Sequence, residues 1–285
     1  MTVLTMTPER IDSLRKRSDQ HKFDHGSVLV LSGPATRTGA ARLAAMAALR
    51  VGAGLVTVGA PRDALPECAA HLTGIMLREV SEALDLSLIL AEDQRINALC
   101  IGPGFGLEPA NGATLRAALA THRAVVLDAD ALTLMAQDRE LFTQLHGGCV
   151  LTPHAGEFRR LFPGLGEDGD GFTLDEKKDA TQRAADLSGA VVLYKGAQTT
   201  IAAPGCPATV LDTTSEQDAA WLATAGAGDV LAGLVTGLLA RGNPPVQAAE
   251  TGALLHAMAA REAGPGLIAE DLPQQIPGIY RRLGI

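Results

Sequence analysis

The chain has 285 residues, 47% of them apolar and 20% charged, and its 24 Lys and Arg against 32 Asp and Glu leave a net charge of −8. That length is enough to bury a large core, as one long α/β unit or two average domains. The acidic balance argues against a nucleic-acid binder, which needs concentrated basic surface to displace counterions, but not against a single nucleotide site, which needs only a few donors.

In chain order, Met1–Gln20 carries Glu9, Arg10, Asp12, Arg15, Lys16 and Arg17 and lacks the apolar stretch of an export signal. His21-Lys-Phe-Asp-His25 spaces two histidines four apart, yet Gly26 and a strand follow at once, a poor frame for zinc. From Ser27 onward short apolar runs alternate with longer Ala/Leu-rich amphipathic ones. Strands are predicted at Ser27–Leu31, Leu55–Val58, Ile75–Leu77, Ala98–Ile101, Ala124–Leu127, Cys149–Leu151 and Ala190–Leu193. Helices are predicted at Gly39–Val51, Ser81–Asp93, Ala110–Thr121, Phe158–Phe162, Asp175–Leu187, Val230–Ala240 and Pro245–Glu262. Strands apolar throughout fit a parallel sheet covered on both faces, and the regular alternation predicts a doubly wound α/β sandwich in one domain. Pro163–Thr173 reads as a solvated loop. Its Asp168-x-Asp170 pair invites a calcium-loop reading, but Phe172 and Thr173 stand where the third ligand and the central Gly belong. Val230–Ala240, the strongest apolar run, is far short of the roughly 20 residues that span a bilayer. Cys68, Cys100, Cys149 and Cys206 form no CxxC pair. A soluble, cytoplasmic protein with reduced thiols is expected.

Open α/β sheets bind ligands at the carboxyl ends of their strands, so the loops that follow strands matter most. The sharpest is Ala223-Thr-Ala-Gly-Ala-Gly-Asp-Val-Leu-Ala-Gly233. Gly226 and Gly228 let backbone N–H groups converge at a helix start, an anion site suited to phosphate. Asp229 there could accept a proton from a substrate hydroxyl, or could simply cap the helix. Tyr194-Lys-Gly-Ala-Gln-Thr-Thr200 follows a strand and could hold a nucleotide phosphate through Lys195 and backbone N–H groups, or be a plain hairpin turn with a solvated lysine. In Leu151-Thr-Pro-His-Ala-Gly-Glu157, His154 and Glu157 share a helix face and could touch substrate or a water-bridged Mg²⁺, or act only as caps. Cys100-Ile-Gly-Pro-Gly-Phe-Gly106 is GxGxG rather than the GxGxxG of a dinucleotide fold, so hydride transfer fits poorly. Asp128-Ala-Asp130 either faces the crevice or caps the next helix. Jointly, these loops suggest a phosphoryl-handling α/β enzyme.

The ordered set resembles the ADP-dependent NAD(P)H-hydrate dehydratases of the ribokinase-like superfamily. Its carriers are HKFDHGSVLVLSG (21–33), TGAARLAAMAALRVGAGLVTVGAP (38–61), IGPGFG (101–106), LDADAL (127–132), LTPHAGE (151–157), YKGAQTT (194–200) and AGAGDVLAGLVTGLLARG (225–242). GAGD marks only the superfamily, whereas RVGAGLVTV with TPHAGE and KGAQT is specific to the dehydratases. The resemblance implies a ribokinase-like, doubly wound, mostly parallel sheet flanked by helices in three α/β/α layers, with residues 1–20 as a helical extension and 21–285 as a single dehydratase domain.

It also implies the reaction: NADH or NADPH hydrated at C6 of the nicotinamide ring is restored while ADP becomes AMP and phosphate. By matching position, Asp229 is the catalytic base and contacts the hydrate. Ala40, Gly106 and His154 line the substrate, and Gly226, Ala227 and Gly228 form the anion hole. Lys195, Gly196, Ala197, Gln198, Thr199 and Gly228 contact ADP or AMP, and Glu157 matches a Mg²⁺-associated position. The family more often has Thr at Ala227 and Pro at Ala155, so one hydroxyl is lost while the N–H is kept. Only about 20 residues precede the match, so the resemblance implies no epimerase domain and dependence on a separate or spontaneous epimerisation. It further implies a homotetramer. The competing readings are a small-molecule kinase of the same superfamily, acting on a vitamin-precursor or sugar hydroxyl, and a catalytically idle nucleotide binder.

Overall fold

A computed structural model describes residues 4–165 and 172–285. Seven parallel strands form most of its sheet: β1 (Ser27–Leu31), β2 (Leu55–Ala60), β3 (Met76–Glu79), β4 (Ile96–Ile101), β5 (Ala124–Leu127), β6 (Cys149–Leu151) and β7 (Val191–Tyr194). Two antiparallel strands, β8 (Gln198–Ala203) and β9 (Cys206–Asp212), extend it. The order is β3-β2-β1-β4-β5-β6-β7-β8-β9 among the described residues. Helices are α1 (Pro8–Leu14), α2 (Gly39–Arg50), α3 (Leu65–His71), α4 (Ala83–Glu92), α5 (Pro109–Leu119), α6 (Ala129–Gln137), α7 (Arg139–Phe142), α8 (Ala155–Leu161), α9 (Leu174–Ser188), α10 (Ala227–Ala240), α11 (Pro245–Ala263) and α12 (Asp271–Arg282).

Because successive side chains point to opposite faces, each apolar strand feeds two cores. Val28 and Val30 of β1 pack with α2, α10, α11 and α12, whereas Leu29 and Leu31 pack with α4, α5, α6, α8 and α9. This is the three-layer α/β/α arrangement expected. α10 lies against α2 so closely that a Cβ at Gly233 would sit 2.1 Å from the Ala44 carbonyl oxygen. Small residues on both helices allow that approach, and it fixes where the amino end of α10 emerges.

The seven predicted strands are present, with ends shifted by up to two residues. β8 and β9 were not expected, because KGAQTT reads locally as a turn. The chain instead resumes as a strand at Gln198, and α9 covers it. α12 is also unexpected: Pro277 lies inside it, yet Leu272, Ile276 and Ile279 are buried, and that tertiary packing outweighs the proline's cost. The Asp168-x-Asp170 pair lies outside the described residues, while Thr173 caps α9 and exchanges hydrogen bonds with Glu176. Near the amino terminus, the Leu4 N–H donates to the Val210 carbonyl of edge strand β9 at 2.8 Å, and Arg10 meets Glu250 of α11 at 2.5 Å. No helix of the described residues is long and apolar enough to cross a membrane.

Candidate active site

Strand order reverses at β1, whose neighbours are β2 and β4, and the loops leaving the carboxyl ends of β4, β5, β6 and β7 gather on the same edge of the sheet. That is where an open α/β sheet leaves a crevice. The first turn of α10 points into it. Gly226, at φ +89°, makes the left-handed turn that starts the helix; a Cβ there would also meet Leu43 at 2.7 Å and Ala269 at 2.8 Å. N–H groups of a helix's first turn have no intrahelical acceptor, and the helix dipole adds partial positive charge. The Ala227 N–H already donates, at 3.4 Å, to the Thr224 carbonyl.

Asp229 is the third residue of α10, and burial first, then the neighbouring Asp128, push its carboxyl up to about 7, with Lys195 acting the other way. Lys195 Nζ donates to Asp128 Oδ1 at 2.7 Å and stands 3.9 Å from Glu157 Oε2. Burial works against that ammonium, but Asp128, Glu157 and Asp229 outweigh it and hold the lysine above its ordinary range. Asp128 is 1% exposed. It precedes α6 without a side-chain capping bond, and it accepts instead from Lys195 and from the Thr152 hydroxyl at 2.9 Å. Its side chain therefore serves the crevice. Asp130 accepts from the Gly106 N–H at 2.8 Å and lies 3.7 Å from Arg37.

His154 and Glu157 both cap α8 and border the cleft. The His154 N–H donates to Glu157 Oε2 at 2.8 Å, and the Gly156 N–H donates to His154 Nδ1 at 2.9 Å. A neutral ring then carries its proton on Nε2, which stands 3.3 Å from Glu157 Oε1.

An open cleft of about 590 Å³ brings together Asp229, Asp128, His154, Glu157, Lys195, Gly196, Gly226 and Gly228. A second cavity, about 370 Å³, shares Lys195, Gly196 and Gly228 with the cleft, and Ala197, Thr199 and Ala227 also line it. Gly106 lines a third, of about 280 Å³, beside Arg37 and Phe105. Ala40, in the first turn of α2, is half-buried next to Gly104 and borders none of these three. The Gln198 side chain turns away from the second cavity and donates to Asp212 at 2.9 Å.

Sequence reasoning did not single out two residues that support these walls. The buried His256 of α11 places Nε2 2.9 Å from the Ala227 carbonyl oxygen. Burial pushes its imidazole down to about 4, so the ring is neutral near pH 7 and donates to that carbonyl, holding the glycine-rich turn from the wall of the second cavity that His256 also lines. Lys177 of α9 holds the turn after β7 by donating to the Lys195 and Gln198 carbonyls. His256 lies in an alanine-rich helix and Lys177 in a charged run, and neither pattern carries a local signal.

The family described as NAD(P)H-hydrate dehydratase matches residues 28–279. The chain belongs to this family. An ADP-dependent (S)-NAD(P)H-hydrate dehydratase of Neisseria meningitidis is 39% identical over 251 residues, covering 86% of this chain and 79% of the relative. An ADP/ATP-dependent NAD(P)H-hydrate dehydratase of Bacillus subtilis, crystallised with ATP and Mg²⁺, superposes with a TM-score of 0.79 at 25% identity, covering 99% of each chain. A ribokinase-like protein of Enterococcus faecalis, 23% identical, shares the fold with a TM-score of 0.80 over 98% of this chain and 95% of its own. The chain spans about half the length of the bifunctional NAD(P)H-hydrate repair enzymes it also matches. The dehydratase family therefore supplies the frame for the cleft, a ribokinase-like fold with its loops at the carboxyl edge.

Proposed function

We propose that the chain is a cytoplasmic repair enzyme that removes water from hydrated NADH or NADPH and consumes ADP, releasing AMP and phosphate. Residues 21–285 would form the catalytic domain, with residues 1–20 as its helical extension. The observation that carries this reading is Asp229. A carboxyl poised near neutrality, in the first turn of a helix beside a largely buried lysine, suits proton removal from a hydroxyl about to be phosphorylated.

In this scheme Asp229 takes the proton of the ring C6 hydroxyl as its oxygen attacks the β-phosphorus of ADP. The new O–P bond forms, the bond from that phosphorus to the bridging oxygen breaks, and AMP leaves with the electron pair. Gly226 and Gly228 offer N–H groups to the transferring phosphoryl oxygens, with Ala227 contributing less because of its bond to Thr224. The C6–O bond then breaks. Phosphate departs with that pair, the N1 lone pair forms the iminium, and loss of the C5 proton restores the dihydronicotinamide. His154 and Ala40 would orient the hydrate together with Gly106, and the Lys195–Thr199 turn would hold the nucleotide.

A magnesium ion accompanying the nucleotide belongs to the same reading, with Glu157 as the matching acidic residue. Glu157 is 7% exposed and its oxygens already face the His154 N–H, His154 Nε2 and Lys195. No cluster of three His, Cys, Asp or Glu able to hold a metal exists among the described residues. These residues fit poorly as a direct metal cage.

The test mixes purified protein with hydrated NADH, Mg²⁺ and either ADP or ATP, and follows NADH absorbance and AMP release. Recovery with ADP is expected; no recovery with either, despite ADP binding, would favour a kinase acting on another hydroxyl. The pH dependence follows from Asp229. Its carboxyl must be ionised to act as a base, so kcat/KM should rise as pH increases through about 7 and level off above it. A profile flat from pH 5 to pH 9 would remove Asp229 from that role.

A homotetramer is part of this reading, supported by exposed apolar Leu84 and Leu88 one turn apart on α4. Light scattering should give about four times the 29.5 kDa chain mass; a monomer at assay concentration overturns it. The other hydrate epimer would reach the enzyme through a separate epimerase or spontaneously.

A further inference from the structure

The turn between β7 and β8 has an unusual distribution of hydrogen bonds. Each carbonyl from Lys195 to Gln198 is occupied from within the protein. Lys177 Nζ donates to the Lys195 carbonyl at 3.2 Å and to the Gln198 carbonyl at 2.7 Å. The Thr199 hydroxyl donates to Gly196 O at 2.8 Å, and Thr213 donates to Ala197 O at 2.9 Å through both its N–H and its hydroxyl. With the acceptors consumed on the inner side, the N–H groups of Gly196 and Ala197 have no acceptor among the described residues, and both residues line the second cavity.

Lys177 stands out among those donors because its position is otherwise unfavourable. It is the fourth residue of α9, near the positive end of the helix dipole, where a cation is disfavoured. It is also largely withdrawn from water, which lowers its pKa to about 8. What compensates is local: two carbonyl oxygens and the face of the Tyr194 ring, 4.1 Å from Nζ to the centroid. Tyr194 is in turn held by stacking on Phe158, with centroids 4.3 Å apart. Gly196, at φ +151°, completes the fit, since a Cβ there would lie 2.9 Å from Lys177 Nζ.

We infer that Lys177 is a positioning residue for the nucleotide: by binding the Lys195 and Gln198 carbonyls from behind, it turns the loop so that N–H donors, not carbonyl acceptors, face the phosphates of a nucleoside diphosphate. Lys195 is the cation on the ligand side of the turn and Lys177 the cation behind it. This role rests on the nucleotide reading of the second cavity.

The test compares the unaltered chain with Lys177→Met and Lys177→Gln, by calorimetry with ADP and by steady-state dehydration of hydrated NADH. Lys177→Met keeps the length and removes the donors. It should weaken ADP binding and raise the KM for ADP by about tenfold or more, while kcat at saturating ADP and the KM for the hydrate stay within about twofold. Lys177→Gln keeps two N–H donors without the charge and should recover part of the ADP affinity. ADP affinity unchanged in Lys177→Met, or a fall in kcat with no change in the KM for ADP, overturns this role alone. A lack of ADP binding by the unaltered chain overturns the nucleotide reading as well. Should Lys177→Met fail to fold, Lys177→Gln decides: a KM for ADP raised several-fold at an unchanged melting temperature supports the role, and a KM for ADP equal to that of the unaltered chain overturns it.

Discussion

Asp229→Asn is expected to lower turnover by roughly 10²–10⁴-fold, the scale of a lost general base, while ADP still binds. The amide is nearly isosteric and keeps α10 starting at Ala227, so the N–H groups that would face the phosphoryl group stay in place; only the proton acceptor is lost. The same substitution should stabilise the fold in one pH window. The carboxyl is raised from an ordinary 3.8 to about 7 in the native state by burial and by Asp128. Between those values the unfolded chain is ionised while the native one holds its proton, so the penalty of the buried carboxyl grows with pH and is complete above about 7. Asp229→Asn removes it, and the gain should be on the order of a few kcal/mol at pH 8 and vanish near pH 4. Paired melting curves and turnover at both pH values check this. An active Asp229→Asn enzyme would sink the assigned role, and a variant destabilised at pH 8 would contradict the burial argument.

Lys195→Ala should show the second large effect, on the nucleotide and on the fold together. Its Nζ is 2.7 Å from Asp128, whose side chain is 2% exposed, and 3.9 Å from Glu157. Deleting the ammonium leaves two buried carboxylates without their cation, a loss of about 3–5 kcal/mol for a fully buried pair and less here, where the lysine side chain is 19% exposed. Because pairing raises the lysine's pKa, the contribution is present throughout the range below the ordinary lysine value and is lost only as pH rises through the higher native one. ADP affinity should fall more than tenfold, and more than hydrate affinity does, because Lys195 is the cation of the turn whose Gly196, Ala197 and Thr199 line the second cavity. Equal losses for both ligands by calorimetry would count against its place on the nucleotide side. The double variant Asp128→Asn with Lys195→Ala should recover part of the lost stability, since it removes one of the unpaired charges.

These residues also show what was legible in the chain. GAGD at a helix start, TPHAGE and YKGAQTT each follow or precede an element whose periodicity is plain, so their place at the carboxyl edge could be inferred. For Asp128, the sequence left a helix cap and a crevice residue equally open. The decision came from Lys195, 67 positions away, which occupies the carboxylate that a cap would have used. Glu157 is both capping and cleft-lining, so the two readings were never exclusive. Gln198 lies within a recognisable motif, yet its side chain bonds Asp212 on β9, a strand that local pattern did not reveal.

By itself, the sequence determined the layer architecture, the parallel strands β1 to β7 and the family, because uninterrupted apolar strands and glycine-bounded loops are local properties written in consecutive residues. Tertiary structure alone decided which charges meet, how far Asp229 is shifted, and that Lys177 and His256 brace the two turns. Those properties depend on distances between residues far apart in the chain and on how much water is excluded, and no local pattern encodes either.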